Sequence, residues 1–425
     1  QFLGQHFGVN PNWLYGFNGI LISHTLALTP MAFMLLEGTL KNLSPKLEEA
    51  AVMLGANRWQ SFCFIVLPLL KPALANAFLI VMVQSLADFS SPFVLGGNFD
   101  VLATQIYFYI VGAQNDYVSA SALGIILLSI SLGIFWLQYH FIGRKNYVTL
   151  SGKGVEGRST PLSFGLKITV VSIFAVWVGF NALLYGSIFY GSVMQNWGVN
   201  HTFTLQHYIT LFGQGWKNGA IPSLLQTVLF AVIAAPFTAM SGFLLAYFFS
   251  RHRFFGQKHI EFLTLLSFAV PGTVAGVSYI LAFNNVPLYL TGTGAIIVLS
   301  MVTRNMPIGL RAALVNFKQL DPALDEAAYS LKASAFQTLR FITLPLLKPA
   351  LLSALVTSFV RAMTTISAII FLVTPSTRVA TSFILNRVED GDYGLAVAYG
   401  ASLIVIMMLV IGLFGRWVGE TKLGR

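Results

Sequence analysis

Nine stretches of this chain are apolar enough and long enough to cross a lipid bilayer, and nothing else in the sequence constrains the fold as tightly. They lie near residues 17–37, 73–95, 117–139, 164–190, 223–249, 262–283, 295–314, 350–372 and 395–415. A membrane helix needs roughly 20 mostly apolar residues. Inside the bilayer every backbone N–H and C=O must find its partner within the protein, so continuous segments of this kind fold as helices. Composition agrees. Only 9% of the 425 residues are charged and the mean hydropathy is +0.74, whereas soluble domains carry about 25% charged residues. The predicted class is all-α and polytopic, embedded in a lipid bilayer.

Charge then sets the orientation. The formal net charge is +10. Its basic residues gather on alternate loops: Lys41, Lys46, Arg58 and Lys71; Arg144, Lys145, Lys153 and Arg158; Arg251, Arg253 and Lys258; Lys318, Lys332, Arg340 and Lys348; and the tail with Arg416, Lys422 and Arg425. The intervening loops carry Lys217, Arg378 and Arg387 beside acids such as Asp100, Asp116 and Asp390. Cytoplasmic loops are the Lys/Arg-rich ones, so the N-terminus is expected outside and the C-terminus in the cytoplasm. Small basic groups between apolar runs form no continuous face for nucleic acid. Cys63 is the sole cysteine, which excludes an intrachain disulfide and a Cys-based zinc site. Residues 143–163, with Gly152, Gly154, Gly157 and Pro161, read as a cytoplasmic linker. Trp177, Trp197 and Trp216 near span ends are expected interfacial anchors.

An internal repeat organises the chain. Residues 43–51 read LSPKLEEAA and residues 320–328 read LDPALDEAA; residues 67–74 and 344–351 both read LPLLKPAL. Every position is offset by 277. Both copies fall on cytoplasmic loops and run in the same direction, so the halves are parallel repeats, unlike the inverted repeats of several secondary transporters. Residues 1–142 form the first repeat and 164–425 the second. The offset sets Gln1 opposite Ser278, within a span. The first repeat therefore lacks counterparts of residues 164–277, and the natural polypeptide is expected to extend N-terminally by about 110 residues and three spans of ~20 residues each, reaching about twelve.

Each loop has a readable local structure. Ser44 and Asp321 suit the N-cap, with Pro45 and Pro322 following at the first helical position. Glu48, Glu49, Asp325 and Glu326 favour the positive end of the helix dipole. Gly55 suits a C-terminal turn. A second apolar stretch, from Trp59 to Leu67 or from Phe336 to Leu344, then runs to Pro68 or Pro345. The product is a helix–turn–helix knob under the membrane.

These residues resemble the EAA loop of permeases of binding-protein-dependent ABC importers, whose pattern is E-A-A, three residues, G, nine residues, I-x-L-P. Glu49, Ala50, Ala51, Gly55, Ile65, Leu67 and Pro68 match it in full. Glu326, Ala327, Ala328, Ile342, Leu344 and Pro345 match it in the second copy, which departs at Lys332. A left-handed turn is costlier for lysine than for glycine, so the second knob is expected to differ slightly in shape. The resemblance covers most of the chain and looks closest to fused ferric-iron-type permeases, carried by residues 367–373 and 389–394. It implies a type I ABC importer transmembrane-domain fold in a bacterial inner membrane. It also implies two copies of a cytoplasmic ABC ATPase on the loops, and a periplasmic or extracellular solute-binding protein that delivers ferric iron or an anionic solute such as a phosphonate or sugar phosphate.

No G-x-x-x-x-G-K-[ST] phosphate loop occurs, so ATP hydrolysis must come from a separate subunit. No catalytic, cofactor or metal residues are expected: the seven histidines are scattered, with no H-E-x-x-H. The alternative reading, an ion-coupled secondary transporter, would want several buried carboxylates, and Asp88 stands almost alone. Asp88, Arg304 and Arg361 fall well inside spans. Charges there are costly and usually face an interior or water. Gln84 and Arg361 occupy equivalent repeat positions, as do Asp88 and Thr365. Gln84, Asp88, Arg304 and Arg361 either line a translocation path, or Asp88 pairs with an arginine and locks two helices. Ser90, Ser91 and Pro92 read as a simple helix exit.

Overall fold

Each long apolar run forms a helix, and the polar or proline-bearing positions between runs decide where it bends or stops. The computed structural model describes residues 12–41, 43–112, 115–141, 164–196, 199–213, 215–216, 219–252, 254–321 and 323–423. The linker expected at 143–163 lies outside the described residues. The chain divides into two compact units, residues 1–186 and 187–425.

The first unit runs α1 (Phe17–Lys41), α2 (Pro45–Met53), α3 (Arg58–Ser61), a π-helical turn (Phe62–Val66), α4 (Leu67–Ala87), α5 (Ser90–Leu95), α6 (Leu102–Val111) and α7 (Tyr117–Phe141). Helix α1 packs on α4, and α7 packs on both α4 and α6. Helix α8 (Phe164–Ser192) crosses the division between the units.

The second unit opens on an antiparallel hairpin, β1 (Met194–Asn196) and β2 (Asn200–Phe203). It continues through α9 (Gln206–Gly213), α10 (Ala220–Arg251), α11 (Gln257–Ala269), α12 (Gly272–Phe283), α13 (Gly294–Gln319), α14 (Ala323–Ser330) and α15 (Ala335–Thr338). A second π-helical turn (Leu339–Thr343) leads into α16 (Leu344–Thr364), followed by a 3₁₀ turn (Ile369–Phe371), α17 (Ala380–Glu389) and α18 (Tyr393–Leu423). Helix α10 packs on α13 and α16. The backbones of α10 and α13 approach so closely that a Cβ on Gly242 would lie 2.8 Å from the Leu310 nitrogen. Small residues at such crossings let membrane helices pack by van der Waals contact. Ile296, Ile297, Met301 and Tyr399 fill the core beside this crossing.

Among the described residues, seven helices have the length and composition to cross a membrane, or eight if the bent pair α11–α12 is one span. Three expectations are corrected. The run at 295–314 does form a helix, the 26-residue α13, but Arg304, Arg311 and Lys318 make it less apolar than the others. The runs at 73–95 and 350–372 are not single spans. Helices α4 and α16 stop at Ala87 and Thr364, because Asp88 (φ −75°, ψ 129°) and Thr365 (φ −69°, ψ 127°) turn the backbone extended. Ser90 and Ser91 thus begin a new short helix instead of ending a span. Finally, the second arm of each loop does not stop at its proline. It continues into the membrane as one segment, Arg58–Ala87 or Ala335–Thr364. A proline ring clashes with the carbonyl four residues back; the widened π turn just before Pro68 and Pro345 moves that carbonyl aside.

The repeat persists in the geometry. The α3/α15 pair, the two π turns and the α4/α16 pair all begin and end 277 residues apart. The π turns do so with different sequences, FCFIV and LRFIT.

Candidate functional site

In both loops the first helix ends in the same hydrogen-bonded turn. Ala56 N–H donates to the Ala51 carbonyl and Gly55 N–H to that of Val52, each at 3.0 Å; Ala333 N–H donates to Ala328 at 3.0 Å and Lys332 N–H to Tyr329 at 2.9 Å. This Schellman arrangement needs a left-handed residue. Gly55 takes it at φ +85° and Lys332 at φ +60°. The expected difference in shape at Lys332 is therefore not found; the hydrogen bonds of the turn hold lysine in the conformation that glycine adopts freely.

The second arm starts with a reciprocal capping box that the sequence reading missed. Gln60 N–H donates to Asn57 Oδ1 (2.8 Å) and Asn57 N–H to Gln60 Oε1 (2.9 Å). Gln337 N–H donates to Ser334 Oγ (3.2 Å) and Ser334 N–H to Gln337 Oε1 (2.7 Å). The legible signal was a capping residue three positions before glutamine. At the other end the copies differ. Asp321 Oδ1 accepts from the Ala323 N–H at 2.9 Å, whereas the Ser44 side chain makes no capping bond. Asp325 on α14 also sits 2.7 Å from Arg251 Nε at the end of α10, which ties the second loop to its unit by charge.

Matching positions share their exposure. Glu49 and Ala50 are exposed and Ala51 buried; Glu326 and Ala327 are exposed and Ala328 buried. Beyond them each loop displays three large apolar side chains at equivalent positions. Leu54 and Leu331 are 88% and 84% exposed, Trp59 and Phe336 72% and 67%, and Phe64 and Phe341 77% and 67%.

Within the first unit Asp88 meets a partner that the sequence reading did not name. His24 Nε2 on α1 lies 3.0 Å from its Oδ2. The Ser90 and Ser91 N–H groups donate to Oδ1 (3.1 Å) and Oδ2 (3.2 Å), capping α5. His24 Nδ1 lies 2.8 Å from Ser85 Oγ, and Ser23 Oγ donates to Ser91 Oγ at 3.1 Å. In the tautomer with the proton on Nε2, that N–H donates to Asp88 and Nδ1 accepts from Ser85 Oγ. His24 was visible as a lone polar residue in an apolar run. Asp88 thus ties α1 to the break after α4 through His24, and not through the arginine that one reading gave it as a partner. Gln84 is half-buried one turn earlier.

Within the second unit the two arginines separate. Arg304 Nη1 reaches the Val270 carbonyl at 3.4 Å, an acceptor left by the 107° break between α11 and α12. Arg361 lines a cavity of about 430 Å³ between α13 and α16. Among the described residues, no group of three or more His, Cys, Asp or Glu is placed to hold a metal ion.

Each unit carries a helical break behind an exposed two-helix loop, at the same 277-residue offset, a pattern that fits an importer-type membrane domain. The fold agrees with the crystal structure of a bacterial ABC transporter involved in the import of the acidic polysaccharide alginate. That likeness has a TM-score of 0.50 at 16% identity, over 60% of this chain and 94% of that one. The chain belongs to the family of binding-protein-dependent transport system inner membrane components, matched over residues 7–147 and 239–420, and is a multi-pass inner-membrane protein. It is 61% identical over 424 residues to the ferric transport system permease protein FbpB of Actinobacillus pleuropneumoniae, covering all of this chain and 62% of that protein. It is 62% identical over 411 residues to FbpB 1 of Haemophilus influenzae, covering 92% of this chain and 65% of that protein. A more distant relative, the sulfate transport system permease protein CysT of Salmonella typhimurium, is 29% identical over 212 residues, 47% of this chain and 76% of that protein. The chain thus spans slightly less than two thirds of the length of the two FbpB relatives.

Proposed function

We propose that this chain is a permease component of an ATP-driven importer of ferric iron. Glu49 to Gly55 and Glu326 to Lys332 form its coupling loops, two copies of a cytoplasmic ABC ATPase dock on them, and an external binding protein delivers the solute. Covalent chemistry is confined to the ATPase. The matched exposed apolar side chains on the two loops carry this reading. Leu54 and Leu331 stand at the two turns, ahead of the segments that enter the membrane; exposed apolar side chains there suit a protein interface, and two equivalent ones suit two copies of one partner. Ferric iron as cargo is supported by identity above 60% to FbpB. The C-terminus is cytoplasmic in this reading, since α18 ends in the basic tail with Arg416, Lys422 and Arg425. Residues 1–142 and 164–425 are the two repeats, joined by 143–163. Of the four polar groups in the membrane, Gln84 and Arg361 face the path. Asp88 and Arg304 hold helix breaks beside it.

The test uses the natural full-length permease reconstituted with its ATPase and binding protein. Replacing residues 45–53 and 323–330 with Gly-Ser sequence should abolish radiolabelled iron uptake and ATPase stimulation while leaving membrane insertion intact. Stimulation that survives both replacements would remove the coupling role. Uptake that persists without ATP, but stops when the proton gradient is collapsed, would establish the ion-coupled carrier instead.

A further inference from the structure

The cavity between α13 and α16 has a donor set unlike that of a metal site. Among the described residues, its polar lining is Asn305 and Asn316 from α13 and Ser353, Thr357, Ser358 and Arg361 from α16, with no carboxylate, histidine or cysteine. Ser353, Thr357 and Arg361 recur every four residues, so they form one stripe along α16, roughly 12 Å long at 1.5 Å per residue. The stripe is exposed within the unit, whereas Asn305 and Ser358 are buried at the floor. Asn305 is only 6% exposed, and its amide nitrogen has no hydrogen-bond partner. A buried amide without a partner is costly. Among the described residues that line the cavity, Arg361 is the one cation. Bare ferric iron would be repelled by that guanidinium and would find no anionic ligand here. A guanidinium flanked by amide and hydroxyl donors instead matches an oxyanion.

We propose that this cavity is a subsite for a small oxyanion of the phosphate or carboxylate kind, seated on Arg361 with Asn305 and Ser358 donating from the floor. The proposal rests on the transport reading for its purpose, and it gives the cargo a sign: the species passing α16 is anionic, either a free oxyanion or an oxyanion that travels with a metal ion.

The test is equilibrium dialysis of the full-length permease in nanodiscs against radiolabelled inorganic phosphate, with and without equimolar Fe(III). Saturable phosphate binding is expected. Arg361→Gln should weaken it by roughly tenfold or more, and Asn305→Leu by about threefold to tenfold. Arg361→Lys, which keeps the charge and loses the fork, should fall between wild type and Arg361→Gln. Binding without iron identifies a free oxyanion, and binding only with iron identifies a metal-borne one; both support the subsite. No saturable binding in either arm overturns it. So does wild-type affinity in a monodisperse Arg361→Gln protein. If Arg361→Gln fails to fold, unchanged affinity in both Arg361→Lys and Asn305→Leu overturns it equally. Iron uptake by the complete transporter is measured separately, so failure of the transport reading would show there and not in the dialysis.

Discussion

At the turn of the first loop the left-handed position is Gly55; at the turn of the second it is Lys332. The main-chain bonds around them are the same, pair for pair. One break further into the membrane, the copies part. Asp88 is held by His24 and by two main-chain amides. Its counterpart Thr365 directs its hydroxyl back to the Arg361 carbonyl at 2.6 Å, and its own carbonyl accepts from Thr381 at 3.3 Å. His24 is replaced at its equivalent position by Met301. The loops show that a turn fixed by several backbone hydrogen bonds tolerates a poor residue. The breaks show that one backbone bend can be secured either by a charged lock between two long helices or by hydroxyl-to-carbonyl bonds, one within the turn and one from α17.

The largest expected effect comes from forcing the first break to resemble the second. Asp88→Thr leaves the part-buried His24 Nε2 without its acceptor and should cost about 1–3 kcal/mol. Adding His24→Met installs the pair found in the second copy and should recover part of that loss. Thermal unfolding of the four proteins of this double-mutant cycle measures the coupling. A double variant no more stable than Asp88→Thr would mean that the two side chains do not act as a unit.

A smaller effect is expected at the loop turns. Gly55→Val places a β-branched side chain at φ +85° and should cost about 1–2 kcal/mol. Gly55→Lys should cost less, because the second copy accommodates lysine in that turn. Lys332→Gly should tighten the second turn by up to ~1 kcal/mol. Amide exchange at residues 51–56 and 328–333 reads these changes locally. If Gly55→Lys proves as disruptive as Gly55→Val, the two turns are less alike than their hydrogen bonds indicate.

The sequence made the loops legible because two signals coincide there, a spaced motif and its repetition. The spans were legible from apolar length. The breaks at Asp88 and Thr365 were not, because apolar residues continue on both sides and hydropathy does not register a change of backbone direction. Asp88 followed by Ser90-Ser91-Pro92 was a usable hint, an acid placed to cap a new helix. The capping boxes were written plainly as Asn57 with Gln60 and Ser334 with Gln337, yet the apolar residues between them dominated the reading. Arg304 could not be assigned from sequence at all. Its acceptor, the Val270 carbonyl, is freed by a bend 34 residues away. Arg304 and Arg311 of α13 serve internal contacts, with the Val270 carbonyl and the Phe268 ring, and they lower the apolarity expected at 295–314.

The smallest expected effect lies where each copy enters its last long helix. Asp116 precedes α7 and Asp392 precedes α18, one residue out of the 277 register. Asp116 Oδ1 accepts from the Val118 and Ser119 N–H groups at 3.1 and 3.0 Å, while Asp392 Oδ2 turns to Arg387 Nη1 at 3.2 Å. The Ser119 hydroxyl, followed by the Ser119 and Val118 amides, holds the Asp116 carboxyl below its usual range. A carboxylate with a depressed folded pKa contributes its stabilisation fully above the unfolded value, about 3.9, and loses it as pH falls through the folded value. Intrinsically corrected exchange at the first turn of α7 should therefore be constant from neutral pH to about 5 and accelerate only below about 4. Asp116→Asn should keep most of the protection, since asparagine also caps well, and should remove the acid-induced change; Asp116→Ala should lose protection at every pH. Asp116 is only partly buried and its carboxylate bonds only within its own turn, so the change should stay confined to that turn. Equal protection of Val118 and Ser119 at pH 7 and pH 3 would show that the main-chain turn alone starts α7, and the two helix entries would then be alike after all.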